Sequence, residues 1–294
     1  LKNYFFLLPM ISIMSTMVKG QESKLQLVGD FEYSLVSDIS DTDLRTYSIG
    51  LKGTKKNRSN KFGIGLQYDD YQFQYFGRST GFEESNFQKF HTVQTMFFYK
   101  RSFFESWSVA AHISPTLSSN FVDVIDGEDF IPNADITISK TWKDENALLC
   151  FAIGAEYGTL FGIPRWYPTF SFNYNRNNNW TLMLGFPETR IRYSFNERHS
   201  LGARARPFGL YANNSDTVIY PGLGALANTK LRFNGNDFGL EHNYDMGTGF
   251  TTVVRAGFQQ TSDLEVLDNG NRLIHDFEPD GTAYITMGLK YKLN

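Results

Sequence analysis

The chain has 294 residues, a formal net charge of −3 and a mean hydropathy of −0.34. No basic cluster is present to track phosphates, which argues against nucleic acid as a partner, and the chain is too polar for a bundle of membrane helices. Aromatic residues make up 16% of it, chiefly Phe (27) and Tyr (16), an excess that suits a lipid-facing β-barrel with interfacial girdles, where only alternate residues meet lipid.

Residues 1–20 read as a secretory signal. Lys2 supplies the positive end, the run from Tyr4 to Met14 is the apolar core, and Val18 and Gly20 are small enough for cleavage before Gln21. The rival reading, a membrane anchor, needs about 20 apolar residues, and this run is shorter. The remainder, 21–294, reads as one outer-membrane β-barrel domain without linker, low-complexity tract or charge block. Cys150 has no partner for an internal disulfide and reads as a packing residue.

Strict alternation predicts the strands. The first, about 24–37, sets Leu25, Leu27, Gly29, Phe31, Tyr33 and Leu35 against Gln26, Asp30, Glu32 and Ser34. The second, about 44–54, sets Tyr47, Ile49 and Leu51 against Thr46, Ser48 and Lys52, and the turn 55–60 follows. The third begins with Phe62, Ile64, Leu66 and Tyr68, then changes phase to Tyr71, Phe73 and Tyr75. A parity switch at Asp69-Asp70 implies either a β-bulge or a different environment beyond the membrane. Further strands are predicted over about 88–101, 105–118, 131–142, 147–160, 165–175, 180–187, 188–196, 200–212, 230–244 and 250–262. The final strand carries Ala283, Ile285, Met287, Leu289, Tyr291 and Leu293 on one face. Long connections at 76–87, 119–130, 213–228 and 263–279 alternate with tight turns, as extracellular loops and periplasmic turns do. The fold class is therefore all-β: a single antiparallel transmembrane barrel of about fourteen strands in the bacterial outer membrane. The number drops to twelve if the pair meeting at Phe186-Pro187-Glu188 is not a true hairpin. A soluble β-sandwich or propeller is the alternative, but its strands should be shorter.

If the apolar face meets lipid, the other face lines the interior. Arg190 and Arg192 on one strand and Arg204 and Arg206 on the next then point inward, while Ile191, Tyr193, Phe195, Leu201, Ala203, Ala205 and Tyr211 face lipid. Arg255, Lys290 and Lys292 also point in, and Glu156, Glu241, Asp30 and Glu32 are the inward acids available to meet these cations. Closure would place Asp30 and Glu32 beside Lys290 and Lys292. Two readings compete. Either the charges form a paired network filling a narrow lumen, or a basic stripe lines a water-filled pore and favours anions.

The five histidines, His91, His112, His199, His242 and His275, show no metal-ligand spacing, and neither metal nor cofactor is expected. His112-Ile113-Ser114 puts a base and a hydroxyl on one strand face, as outer-membrane lipid hydrolases do. That face is the inward one, however, and Pro115 follows, so an ordinary polar pair is the better reading and no enzyme is expected. The carboxylates of 123–129 lack calcium-loop spacing and read as a solvated loop; 268–271 reads as a turn.

The stretch from Trp180 to Tyr193, with Gly185-Phe186-Pro187-Glu188-Thr189-Arg190-Ile191-Arg192-Tyr193 at its centre, resembles the signature of an outer-membrane β-barrel family of unknown function found in Bacteroidetes-type bacteria. The resemblance implies an exported barrel and brings no activity, ligand or catalytic residue. From the residues themselves, the leading expectation is a passive channel or porin for small solutes, with outer-membrane lipids and the barrel-insertion machinery as further partners. A plugged barrel with a structural or surface-binding role is the alternative, and a lipid hydrolase a distant third.

Overall fold

The computed structural model describes residues 25–39, 41–76, 84–104, 106–176 and 179–293. The predicted signal, 1–20, and part of the predicted loop 76–87 lie outside the described residues. Seventeen strands follow in order: β1 (Leu25–Val36), β2 (Thr42–Asn57), β3 (Asn60–Tyr75), β4 (Lys89–Phe103), β5 (Trp107–Ser119), β6 (Phe130–Lys143), β7 (Ala147–Gly158), β8 (Arg165–Arg176), β9 (Trp180–Phe186), β10 (Thr189–Ser194), β11 (His199–Asn214), β12 (Val218–Tyr220), β13 (Gly224–Leu226), β14 (Thr229–Asp245), β15 (Phe250–Leu267), β16 (Leu273–Asp276) and β17 (Thr282–Leu293).

Fourteen of them close an antiparallel barrel. β1 to β11 pair in sequence, β11 pairs with β14, β14 with β15, β15 with β17, and β17 returns to β1 from Leu27↔Leu293 to Val36↔Tyr284. Among the described residues each of these fourteen strands has a partner on both sides, so the barrel lacks the open edge that an unclosed sheet would offer another chain. The remaining three sit in loops, β12 with β13 as a small hairpin inside the predicted loop 213–228, and β16 as a flap on the end of β15. β9 and β10 form a true hairpin, Met183↔Arg190 to Trp180↔Tyr193, so the count is fourteen and not twelve.

Large apolar side chains cover the outer wall: Phe31, Ile49, Phe97, Ile113, Ile136, Ile153, Phe170, Leu184, Ile191, Leu240 and Met287 are all exposed. Such a surface is stable only against hydrocarbon. An aromatic girdle rings the end where the short turns lie, with close pairs Phe62–Tyr99, Trp180–Tyr193 and Phe250–Tyr291 at ring separations of 5.0, 4.8 and 4.5 Å. Tyrosine and tryptophan belong at a membrane interface because one end of each ring is apolar and the other can be wet. The barrel is thus a protein of the bacterial outer membrane.

The two ends of the barrel differ. Beyond Ala205↔Thr189, β11 has no further pairing with β10 and continues to Asn214 without it. Its far end reaches β5 and pairs with it in parallel at Asn213↔Ser119. There the Asn120 amide donates to the Asn213 carbonyl at 3.0 Å, and Lys230 donates to Asn213 Oδ1 and Glu128 Oε2, both at 2.9 Å. At the loop end the ring therefore closes between β11 and β5, short-cutting β6–β10. The β7–β8 connection, 159–164, fills the space behind it; a β-carbon on Gly209 would overlap the Thr159 carbonyl, so only glycine admits the loop so close. Tyr211, expected to meet lipid, is instead buried among Ile131, Ile163 and Leu267, because the outer face of this stretch of β11 is covered by that loop and by β6.

The small ring is filled by apolar side chains. Val36, Leu44, Phe73, Phe90, Leu210, Phe233, Leu264 and Phe277 form an apolar core, with Tyr71, Tyr75 and Phe208 against it. This accounts for the phase change predicted within β3. The β2–β3 register runs unbroken from Asn57↔Asn60 to Thr42↔Tyr75, so no bulge exists at Asp69-Asp70. The alternation continues and the surroundings invert: Tyr71, Phe73 and Tyr75 point into the apolar core, while Asp70 turns outward toward His91. Register shifts occur elsewhere among the described residues, between Asn234 and Gly235 where β14 meets β15 and between Val266 and Leu267 where β15 meets β16.

Candidate functional site

Below the apolar core the interior is charged. Arg190 and Arg204 stand directly opposite each other on β10 and β11, and Arg192 lies opposite Gly202. Like charges so placed repel unless neutralised. Arg190 Nη2 lies 2.6 Å from Glu188 Oε1, and Arg204 Nη2 lies 2.7 Å from Asp237 Oδ2 on β14. Arg206 Nε is 3.6 Å from that same Asp237 oxygen, with the side chain 46% exposed to the interior. The neighbouring Arg255 is buried; its Nη2 and Nε donate to Glu241 Oε2 at 2.8 and 3.1 Å, and it lies 3.6 Å from Glu32. Charges held this far from bulk water persist only with partners.

At the seam Asp30 is opposite Lys290 in register, yet Lys290 Nζ reaches Glu32, at 3.6 Å. Asp30 leans over Gly50, where a side chain would collide with the Asp30 and Gln67 side chains. The open turn-end mouth holds a cavity of about 350 Å³ lined by Arg190, Arg192, Arg198, Lys290 and Lys292 with Glu241 and Asp245. Among the described residues, no ion pair engages Arg192 or Lys292.

Two sequence expectations about the acids need correction. Asp237 is the main partner of the arginine wall and is absent from the acids expected there, although register sets it opposite Arg206 and four residues before Glu241 on the same face. Glu156 does not meet the arginines. It lies on β7, three strands from β10, in a row running Phe98, His112, Asp135, Glu156, Tyr167 across β4–β8. His112 Nδ1 is 2.6 and 2.8 Å from the two Asp135 oxygens and its ring stacks on Phe98 at 4.6 Å. Ser114 lines an adjoining interior cavity of about 210 Å³, whereas Ile113 between them is exposed on the outer wall. The His-x-Ser pair therefore points away from lipid.

The acidic loop after β5 is structural. Asp126 caps a short 3-10 turn at Gly127–Asp129, buried Asp129 accepts from Asn213, and Glu128 pairs with Lys230. Among the described residues no group of three or more His, Cys, Asp or Glu could hold a metal. At 268–271 the turn is held by Asp268, whose carboxylate accepts from the amides of Gly270 and Arg272 and from Arg272 Nε at 2.8–2.9 Å. Those donors hold its pKa below the ordinary aspartate value.

No curated protein matches the sequence. Among solved structures, the chain is similar to the COG4313 outer membrane channel from Pseudomonas putida F1, at 9% identity and a TM-score of 0.46, over 92% of this chain and 95% of that one. It is also similar to the Pseudomonas putida toluene transporter TodX, at 9% identity and a TM-score of 0.41, over 93% and 89% of the two chains. A third is the KdgM porin in complex with disordered oligogalacturonate, at 7% identity and a TM-score of 0.38, over 91% and 99%. By the profile that matches residues 42–292, the chain belongs to the family described as Domain of unknown function (DUF6268).

Proposed function

We propose that the barrel is a channel for small solutes, held shut at its loop end by the apolar core. The observation that carries this is the interior below that core. It is lined by charged groups and hydroxyls and holds cavities of about 200, 290, 210 and 350 Å³. An interior meant only to be filled would be packed throughout, as the loop end is.

The test is conductance of the folded protein in planar bilayers, wild type against Phe73→Ala and Phe90→Ala. The Phe73 ring packs edge-on against Phe90 and Phe233 at 6.4 and 5.8 Å, so truncation loosens the core where it spans the ring. Small or rare openings in the wild type and larger ones in the variants are expected. Folded variants that pass no current and admit no solute into liposomes would refute the channel. They would favour a non-conducting barrel, the reading that the packed core and the β11–β5 contact support. A lipid hydrolase is disfavoured by the inward aim of His112 and Ser114; any lipase activity surviving His112→Ala and Ser114→Ala ends that idea.

A further inference from the structure

One interior cavity is built differently from the rest. It measures about 200 Å³ and lies just beneath the apolar core. Its roof is apolar, supplied by Val36, Leu44, Phe208, Leu210 and Phe233, and Arg204 and Arg206 project into it from below.

Three arginines, Arg204, Arg206 and Arg255, and three acids, Glu32, Asp69 and Asp237, line the cavity, but their contacts are unevenly shared. Arg190, Arg204 and Arg206 stand on adjoining strands with two carboxylates between them, Glu188 on Arg190 and Asp237 on Arg204. Arg255 adds no spare acid, since it already engages Glu241 and Glu32, and Lys290 draws on Glu32 as well. Asp69, the other carboxylate at the cavity, accepts from Ser48 and Gln67 and makes no ion pair with the arginines among the described residues. Arg206 has no close carboxylate of its own: its 3.6 Å contact is to the Asp237 oxygen that Arg204 already holds at 2.7 Å, so it is the guanidinium best placed to move toward a ligand. A second observation points the same way. Arg204 is 7% exposed and lines the cavity, and its Nε proton is buried without a hydrogen-bond acceptor. A buried donor left unpaired is costly, and an acceptor brought by a ligand removes that cost.

We propose that this cavity binds a monocarboxylate with a small apolar body, its carboxylate on Arg204 and Arg206 and its body against the apolar roof. The assignment deepens the channel reading and rests on it only for the solute's route. Size supports a ring or short chain, since an apolar cavity of about 150 Å³ already accepts benzene. A planar guanidinium offers the forked donors that a carboxylate accepts two at a time. The cationic turn-end mouth, with Arg192 and Lys292 uncommitted, concentrates anions at the approach.

The experiment is fluorine NMR on the intact folded barrel in detergent, with 4-fluorobenzoate as probe and 4-fluorobenzyl alcohol and 4-fluorobenzylamine as controls. Saturable binding of the acid, at least tenfold tighter than that of the alcohol and with none of the amine, is expected. Arg206→Gln should weaken the acid at least tenfold, and Arg206→Lys should recover part of the loss by keeping the charge. Arg206 is half exposed and weakly held, so its variants are expected to fold; gel mobility before and after heating verifies this. Equal binding of acid and alcohol, or full affinity in folded Arg206→Gln, overturns the site. Conductance on the same preparations separates the two ideas. Current without saturable acid binding sinks the site and leaves the channel, and acid binding without current does the reverse.

Discussion

Replacing Asp237 by Asn tests whether the arginine wall is held by one carboxylate. The Arg204–Asp237 contact is 2.7 Å, with side chains only 5% and 9% exposed. At that distance and an effective dielectric of about 20, two unit charges attract by about 6 kcal/mol. Desolvation on folding takes back much of this, but removing one partner strands the other in the interior, which typically costs about 3–5 kcal/mol. The substituted amide would keep an oxygen for Arg204, which favours the lower end of that range. Arg206 adds little, because its contact is long and its side chain half exposed, a geometry worth about 1 kcal/mol or less. Asp237→Asn should therefore destabilise the barrel by about 3 kcal/mol. The measurement is equilibrium unfolding by guanidinium in lipid vesicles, followed by the fluorescence of the four tryptophans, with an unchanged denaturant slope to confirm that the same transition is compared. The double variant Arg204→Met, Asp237→Leu should cost much less than the sum of its singles, since no buried charge survives alone. A cost for Asp237→Asn within ~0.5 kcal/mol of zero, or strict additivity in the double, would refute the reasoning.

Two further outcomes follow from other parts of the molecule. Ile153 is 57% exposed midway along the outer face of β7; Ile153→Arg should cost about 2–4 kcal/mol in vesicle refolding, and a cost under ~1 kcal/mol would mean that this face does not meet lipid. The Asp268 carboxyl titrates below the ordinary aspartate value, so the stabilisation of its turn is complete above that ordinary value and is lost as pH falls through the lowered one. The amide shifts of Gly270 and Arg272 should report that low midpoint and lose it in Asp268→Asn; a midpoint at the ordinary value would contradict the hydrogen-bond assignment.

Alternation made the outer wall legible because each strand has a period of two and one face meets hydrocarbon along most of its length. The seam was readable for the same reason: parity fixed which residues of β1 and β17 share a face, and opposite charge suggested which would meet. Alternation cannot reveal what a face touches. Tyr71, Phe73 and Tyr75 leave a bulge and a change of surroundings equally open in the sequence, and the change of surroundings is what occurs: at the loop end the interior is the apolar side. Tyr211 failed for a related reason: no local pattern announces that β11 leaves its neighbour and is covered on both faces. Asp237 was within reach of sequence reasoning, through its parity with Glu241, but its pairing depends on the β11–β14 register, which only long-range structure sets.

The brevity of the β9–β10 hairpin has a consequence for the lipid around it. Seven residues in β9, at about 3.4 Å each and a tilt of about 40°, rise roughly 18 Å, against an apolar band of about 25 Å on typical barrels. Hydrocarbon beside this sector is mismatched by several ångströms, and a bilayer meets such a deficit by thinning locally, at a modest cost for each ångström. Exposed Trp166 and Phe170 on β8 flank the step. The bilayer is therefore expected to thin most beside β9–β10, and lateral neighbours or shorter-chain lipids that relieve the thinning are expected to favour that sector.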